Sequence, residues 1–331
     1  MRFFRHPVIR LCLRVVGCVG FILFAVTRPG NADSENFVYL PMIARPCPTA
    51  TFPTSGYWLD YVNFYRATAC LRPVTENPEW SDGDYKHAIY MVKNDILSHD
   101  EDSSNPWYTP EGRTAAQQSN VAANSNRNAT DRWAIETWMQ GPFHALGIID
   151  PRLVESGYGS FRESGGTYQM AAALNVIAGM DYTVNTSYPV LWPGNGTTVP
   201  IRYYTGNENP DPLTSCPGYT APSGLPLIIQ IGAGTVTPVV EDTAFLQNEQ
   251  PLEHCVFDET TYVHPNMDKQ DLGRNVLGAR DAIVLIPRMP LSSGTTYTAS
   301  ITVNGKTYTW SFTINGAVQA LEIEDFSGFV R

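Results

Sequence analysis

The chain has 331 residues, a formal net charge of −10 at pH 7, 43% hydrophobic and 16% charged residues. That length fits about two domains of ~100–200 residues each, with ample apolar content for real cores. The acidic balance excludes a basic nucleic-acid footprint and argues against a polyanionic partner, while low charge with 26 Gly and 25 Pro suits a secreted, loop- and strand-rich protein.

Arg2, Arg5, Arg10 and Arg14 precede an apolar run over 15–26. A basic start followed by a run shorter than the ~20 residues that span a bilayer reads as a secretory signal, and an uncleaved anchor is the alternative. Asn31-Ala32-Asp33 offers a small-residue cleavage point, so 1–32 is expected to leave and no stable transmembrane span to remain. Cys12 and Cys18 leave with it, and Cys47, Cys70, Cys216 and Cys255 stay. Four cysteines allow three connectivities; proximity in sequence favours Cys47–Cys70 and Cys216–Cys255, closed in an oxidising compartment.

Residues 33–55 carry four prolines and no helical periodicity, and read as a linker or arm. A first helix is expected over 57–69, rich in aromatics. Asn77-Pro78 reads as a break and Ser81-x-x-Asp84 as a capping-box-like start. From there Tyr85, Ala88, Ile89, Val92 and Ile96 form the expected core face. His87, Met91, Asp95 and His99 form a neighbouring row at spacing four, which puts His99 at the helix end. Residues 100–129 are polar, with a helical turn expected at 114–118 and a loop at 124–128. Trp107-Tyr108 falls in that polar stretch near His99. Core packing is the ordinary role of Trp107; exposed beside a cleft, it would grip a sugar, peptide or lipid.

Thr130 or Asp131 caps the next helix, which buries Trp133 and Trp138 and ends at Gly141-Pro142. Segments 154–161 and 168–176 read as a hairpin through Gly165-Gly166. Beyond Gly179, strand-like runs appear at 199–204, 225–231 and 282–286. The clearest element is the pair of alternating runs that flank Asn304-Gly305, which accepts the positive φ of a type I′ turn.

Four segments recur in a telling order: a helix leading to His99, then Ser119-Asn120-Val121-Ala122, then Trp138-Met139-Gln140-Gly141-Pro142-Phe143-His144, then Glu155-Ser156-Gly157-Tyr158-Gly159. This order resembles the bacterial branch of the CAP superfamily (cysteine-rich secretory, antigen 5 and pathogenesis-related-one proteins). The expected fold is therefore α+β, an N-terminal α-β-α sandwich over 56–180 followed by an all-β immunoglobulin-like sandwich over 181–331. The second half carries its own resemblance, since 290–298 is similar to the last strands of bacterial immunoglobulin-like domains.

The CAP resemblance implies a cleft with two His and two Glu that binds a divalent metal in some members. His99 and His144 fall on the two His positions. The two Glu positions fall on Ser119 and Gly141, so the carboxylates are missing. Two imidazoles alone make an incomplete zinc site, and no spacing argument selects Glu136 or Asp100 as the substitute. The cleft candidates are His99, His144, Ser119, Trp107 and Glu136. Zinc on His99 and His144 is the one metal reading left open, and no other cofactor is expected. Gly-x-Ser-x-Gly is absent, and the nearest string, Gly157-Tyr158-Gly159-Ser160-Phe161, lies in an expected strand rather than at a strand-to-helix elbow. No catalytic residue is assigned. The expected protein is secreted or cell-surface, non-catalytic, and binds a surface glycan, lipid, peptide or protein. A metal-dependent hydrolase using the two-His cleft and a structural surface protein are the alternatives.

Overall fold

Asn77-Pro78 starts a helix instead of breaking one. In the computed structural model, which describes residues 42–43, 47, 49–315 and 329–330, the Asn77 side chain accepts from the amides of Glu79 and Trp80, and Pro78 takes the first helical position. Proline fits there because its missing N–H is an orphan in any case. The first two helices are α1 (Trp58–Ala67) and α2 (Pro78–Asn94). The expected signal, 1–32, lies outside the described residues, and among those described no helix is long and apolar enough to cross a membrane.

The far end of α2 also departs from expectation. Asp95 adopts a left-handed φ of 53°, and its carboxylate accepts from the Tyr168 amide at 2.7 Å. The helix stops at Asn94, so His99 sits in the following loop and does not extend the His87 row. The buried face is rotated from the expected one. Asp84, His87, Ala88, Met91 and Val92 are inside, while Tyr85 and Ile96 are 43% and 42% exposed.

The central sheet of the first half pairs Ser119–Asn124 with Met170–Asn175 and the latter with Tyr158–Arg162, all antiparallel. The backbone of Phe329–Val330 pairs on the far edge of Ser119–Asn124. Side chains alternate across a strand. Val121, Ala123, Ala171 and Ala173 therefore pack on α2 with Ala88 and Met91, while Ala122, Ala172 and Leu174 join Trp133 and Trp138 on the other face. Helices on both faces make the α-β-α layering. They are α2 and α3 (Pro110–Ala116) on one side, and α1, α4 (Asp131–Gln140) and α5 (Pro142–Ile148) on the other. The small strand residues let α2 come close. A Cβ on Gly159 would stand 2.0 Å from the Tyr85 nitrogen.

Residues 181–315 hold a two-stranded pairing of Tyr203–Tyr204 with Ser223–Gly224 and two larger sheets. One runs in the order His254–Asp258, Ala282–Pro287, Leu227–Gln230, Val190–Trp192, antiparallel throughout. The other centres on the hairpin Thr296–Val303 and Lys306–Ile314, with Val240–Gln247 beside it. Asn304 and Gly305 have φ of 51° and 70°, the type I′ geometry the dipeptide favours. The hairpin buries Tyr297, Ile301, Trp310 and Phe312. On its outer face four hydroxyl pairs, from Thr296–Thr313 to Thr302–Thr307, bridge the strands at 2.8–3.0 Å.

This second half is not all-β. It contains α6 (Met267–Gly278), capped by Asn266, whose side chain accepts from the Lys269 amide. Its polar sequence has a weak apolar stripe, with Gly273 and Leu277 its buried residues, so hydrophobic periodicity gave no signal. One buried cluster runs from Trp58 to Ile314. Across residue 181, Phe143 of α5 meets Tyr262 edge-on at 5.1 Å, and the Gln230 amide donates to the Ile149 carbonyl at 2.9 Å. Cys47–Cys70 and Cys216–Cys255 form disulfides, with Cα separations of 4.9 and 5.7 Å, the pairs that proximity favours.

Candidate ligand-binding cleft

Gly141-Pro142 ends α4 and, in the same two residues, starts α5, with Gly141 as its N-cap and Pro142 in the first turn. The turn swings His144 toward the loop that carries His99. His99, Ser119 and His144 line one cavity of about 240 Å³. Gln117 and Asn120 add amides to its wall, and Phe143, Val176 and Ile177 add apolar surface. Asn209, Leu272 and Arg280 line it from the second half of the chain.

His144 is 7% exposed, and its partner is one that sequence reasoning missed. Glu208 Oε1 accepts from the His144 amide at 2.9 Å and faces the ring Nδ1 at 2.8 Å. Because Oε1 already accepts the amide, Nδ1 is assigned as the second donor. In the neutral ring that assignment puts the proton on Nδ1 and leaves Nε2 as an acceptor. Nε2 makes no hydrogen bond to any described residue. The Asn120 side chain holds the backbone by donating to the His144 carbonyl at 3.1 Å.

Glu208 occupies the space that a side chain at position 141 would fill. A Cβ on Gly141 would lie 2.5 Å from both the Cδ and the Oε1 of Glu208. Position 141 is where the resemblance places a glutamate. The carboxylate thus arrives from 67 residues further on, as 208 minus 141 gives. Burial pushes the Glu208 carboxyl above its ordinary range, and His144 opposes that shift. Its Oε2 is buried without a partner.

The Ser119 position behaves in a parallel way. Its hydroxyl donates to Asp84 Oδ1 at 2.6 Å. Asp84 is fully buried on α2, and desolvation holds its carboxyl well above the usual range, with the Ser119 hydrogen bond opposing. His99 sits at the outer rim, exposed, with Nδ1 donating to the Ala116 carbonyl at 2.9 Å.

The other candidates lie elsewhere. Glu136 is buried on α4, where Oε1 accepts from the Tyr65 hydroxyl and from Arg132 Nε, each at 2.9 Å, and it does not line the cavity. Its carboxyl is raised by burial, an effect that Arg132 opposes. Trp107 is 44% exposed with the Lys93 ammonium 4.7 Å over its ring, also outside the cavity. Asp100 is exposed and paired with Arg113 at 2.8 Å.

The donor set does not fit zinc. Zinc takes three or four protein ligands, and among the described residues no group of three His, Cys, Asp or Glu is placed to hold a metal. Glu208 engages His144 through Nδ1, and Ser119 is committed to Asp84. What the arrangement does chemically is present one oriented imidazole to a mostly apolar space with polar side chains in its wall.

No curated protein matches the chain. Residues 59–182 match the family model described as CAP, the cysteine-rich secretory protein family. That match supports a CAP domain in this chain, one that contains His99, Ser119 and His144 while Glu208 and Arg280 lie beyond it.

Proposed function

We propose that the chain is a secreted, non-catalytic CAP-domain protein that binds a small ligand, glycan, peptide or lipid, in the His99–His144 cleft. The observation that carries this reading is the shared cavity: the two histidines meet amides and apolar side chains there, and its hydroxyl, Ser119, is held by Asp84. The two closed disulfides agree with export to an oxidising compartment. Native mass spectrometry of exported protein tests the reading. A small molecule carried by the wild type should be lost when Ile177, 53% exposed at the rim, becomes Trp and narrows the entrance. A protein that carries nothing, and binds nothing on glycan, peptide and lipid arrays, would sink it.

The hydrolase reading has one observation in its favour. A carboxylate-oriented histidine with a free Nε2 is how general bases are built. It lacks a nucleophile and a third metal donor. Zinc titration of wild type, His99→Ala and His144→Ala separates the two readings: tight binding lost in both variants would promote the hydrolase. We also read 181–331, in its part described up to Asn315, as an immunoglobulin-like unit carrying α6 as an addition, supported by one antiparallel sheet, one mostly antiparallel sheet and the Asn304-Gly305 hairpin.

A further inference from the structure

The buried charge beside the cleft does not cancel. Two guanidinium groups meet the carboxylate of Asp150, which is fully buried, and a third binds its main-chain carbonyl. Arg152 grips it through Nε and Nη2 at 2.9 and 2.7 Å. Arg280 Nε lies 3.0 Å from Asp150 Oδ2. Arg66 donates to the Asp150 main-chain carbonyl at 2.9 Å and to those of Ile148 and Leu153, so its charge has no carboxylate of its own. Burial lowers Arg66 to about 10 and lowers Arg280 as well, with the Arg152 charge adding to the latter. The fold therefore keeps excess positive charge in a place that disfavours it.

Arg280 is the member of this cluster that lines the cavity. Its Nη1 donates only to the Val276 carbonyl of its own helix, at 3.3 Å, and Nη2 makes no hydrogen bond to any described residue. The opposing negative group, Glu208, sits behind His144 with Oε1 taken by two donors. Beyond Arg280 the walls turn apolar, with Phe143, Val176 and Val276, and with Leu272, 51% exposed at the rim. A guanidinium with open donors next to an apolar wall matches an oxyanion attached to an apolar body.

We propose that the cleft selects a small amphiphile carrying one oxyanion, carboxylate or phosphate, with the anionic head on Arg280 and the apolar part against Phe143, Val176 and Leu272. This rests on the cleft being a binding site and adds the class of ligand. A CAP domain alone would lack this selectivity, because Arg280 and Leu272 lie outside residues 59–182.

Calorimetry on the full exported chain tests it, with phenylbutyrate and phenyl phosphate as anions and phenylbutanol and phenylbutylamine as neutral and cationic controls. At least one anion should bind about tenfold more tightly than the controls, the ~1.4 kcal/mol expected of one charge-assisted hydrogen bond. The tighter anion identifies the head group. Arg280→Gln should abolish the preference. Leu272→Glu, at an exposed position that leaves the core intact, should weaken anion binding by a similar factor while sparing the amine. Equal binding of alcohol, amine and anions would overturn the anion proposal and leave the binding reading standing. No binding by any probe would also overturn the anion proposal, and the binding reading would then stand or fall on the glycan, peptide and lipid arrays.

Discussion

His87 and His144 each face a glutamate across a buried hydrogen bond, at 2.9 and 2.8 Å, and the two regions differ in what the ring does with its other nitrogen. His87 Nε2 lies 2.8 Å from the Ser98 carbonyl, and the second oxygen of Glu101 accepts from the Thr109 amide at 3.1 Å. Both side chains are 0% exposed. Every group is used, and the pair staples the loop after α2 to the helix. In the α5 region His144 uses only Nδ1, and Glu208 keeps an unpartnered oxygen. The same chemical pair is closed in one place and open onto a cavity in the other. Hydrogen-bond accounting, rather than residue type, separates a structural histidine from a candidate functional one. Both carboxylates also rest against a glycine: a Cβ would come within 2.6 Å of Glu101 at Gly112 and within 2.5 Å of Glu208 at Gly141.

The closed pair should break hardest. His87→Leu leaves Glu101 buried with one oxygen unserved and frees the loop. Removing one partner of a buried pair costs roughly 3–5 kcal/mol. Urea unfolding should show a loss of that order, with phenylbutyrate binding unchanged in the protein that remains folded. A loss below ~1 kcal/mol would mean that the pair contributes little to the fold.

Gly141→Ala probes the open pair. The added methyl collides with the Glu208 carboxylate, and overpacking of this kind costs about 1–3 kcal/mol. The sharper readout is the ring. Nitrogen NMR of His144, read on its neutral form, should show the proton on Nδ1 in the wild type and a mixture of tautomers in the variant. An unchanged tautomer would show that Glu208 does not orient the ring.

What sequence reading caught and missed follows from the range of the forces involved. The Asn304-Gly305 hairpin, the Thr130 cap, whose side chain accepts from the Trp133 amide, and the Gly141-Pro142 stop are local, so they were legible. The order of His99, Ser119 and His144 was legible as a motif. Glu208 and Arg280 were not, because each reaches the cleft only through tertiary packing and carries no motif around it. The strand Ser119–Asn124 has one β-branched residue, Val121, and forms because both faces are buried, a case of tertiary context overriding propensity. The α2 periodicity did continue in sequence to His99. One left-handed residue, Asp95, held by the Tyr168 amide, ended it.

The pH response should also divide the two regions, with a smaller effect. Desolvation raises Asp84 on the α2 side and Glu208 on the α5 side. A carboxyl whose folded pKa lies above its unfolded value of ~4 favours the fold most when protonated. Its contribution is full below the unfolded pKa and is lost as pH rises toward the folded one. Asp84→Asn should therefore match the wild type near pH 4 and be more stable at pH 7.5. Glu208→Gln should gain less, since Glu208 has two donors from His144 to hold its ionised form. The comparison needs single substitutions, because exposed carboxylates lowered by hydrogen bonds, such as Asp95 and Asp102, bias the whole protein the opposite way. Equal gains at both pH values would show that burial of charge is not the cause.

Trp107 gives the smallest expected effect and marks where the site ends. It was attractive as a ligand platform because an exposed indole in the loop after His99 has the right chemistry. In the fold its ring is covered by the Lys93 ammonium at 4.7 Å, and Lys93 also reaches Glu163. Its amide closes a local turn by donating to Asn105 Oδ1 at 2.9 Å. These contacts belong to the closed region around α2 rather than to the cavity. A partly exposed cation–π contact contributes about 0.5–1 kcal/mol. Trp107→Ala should lower stability by that amount and leave phenylbutyrate affinity within about twofold of wild type, the ~0.4 kcal/mol of such a ratio. Affinity lost tenfold or more would move the boundary of the site past His99 onto the loop, and the cavity between α5 and α6 would then be only its inner half.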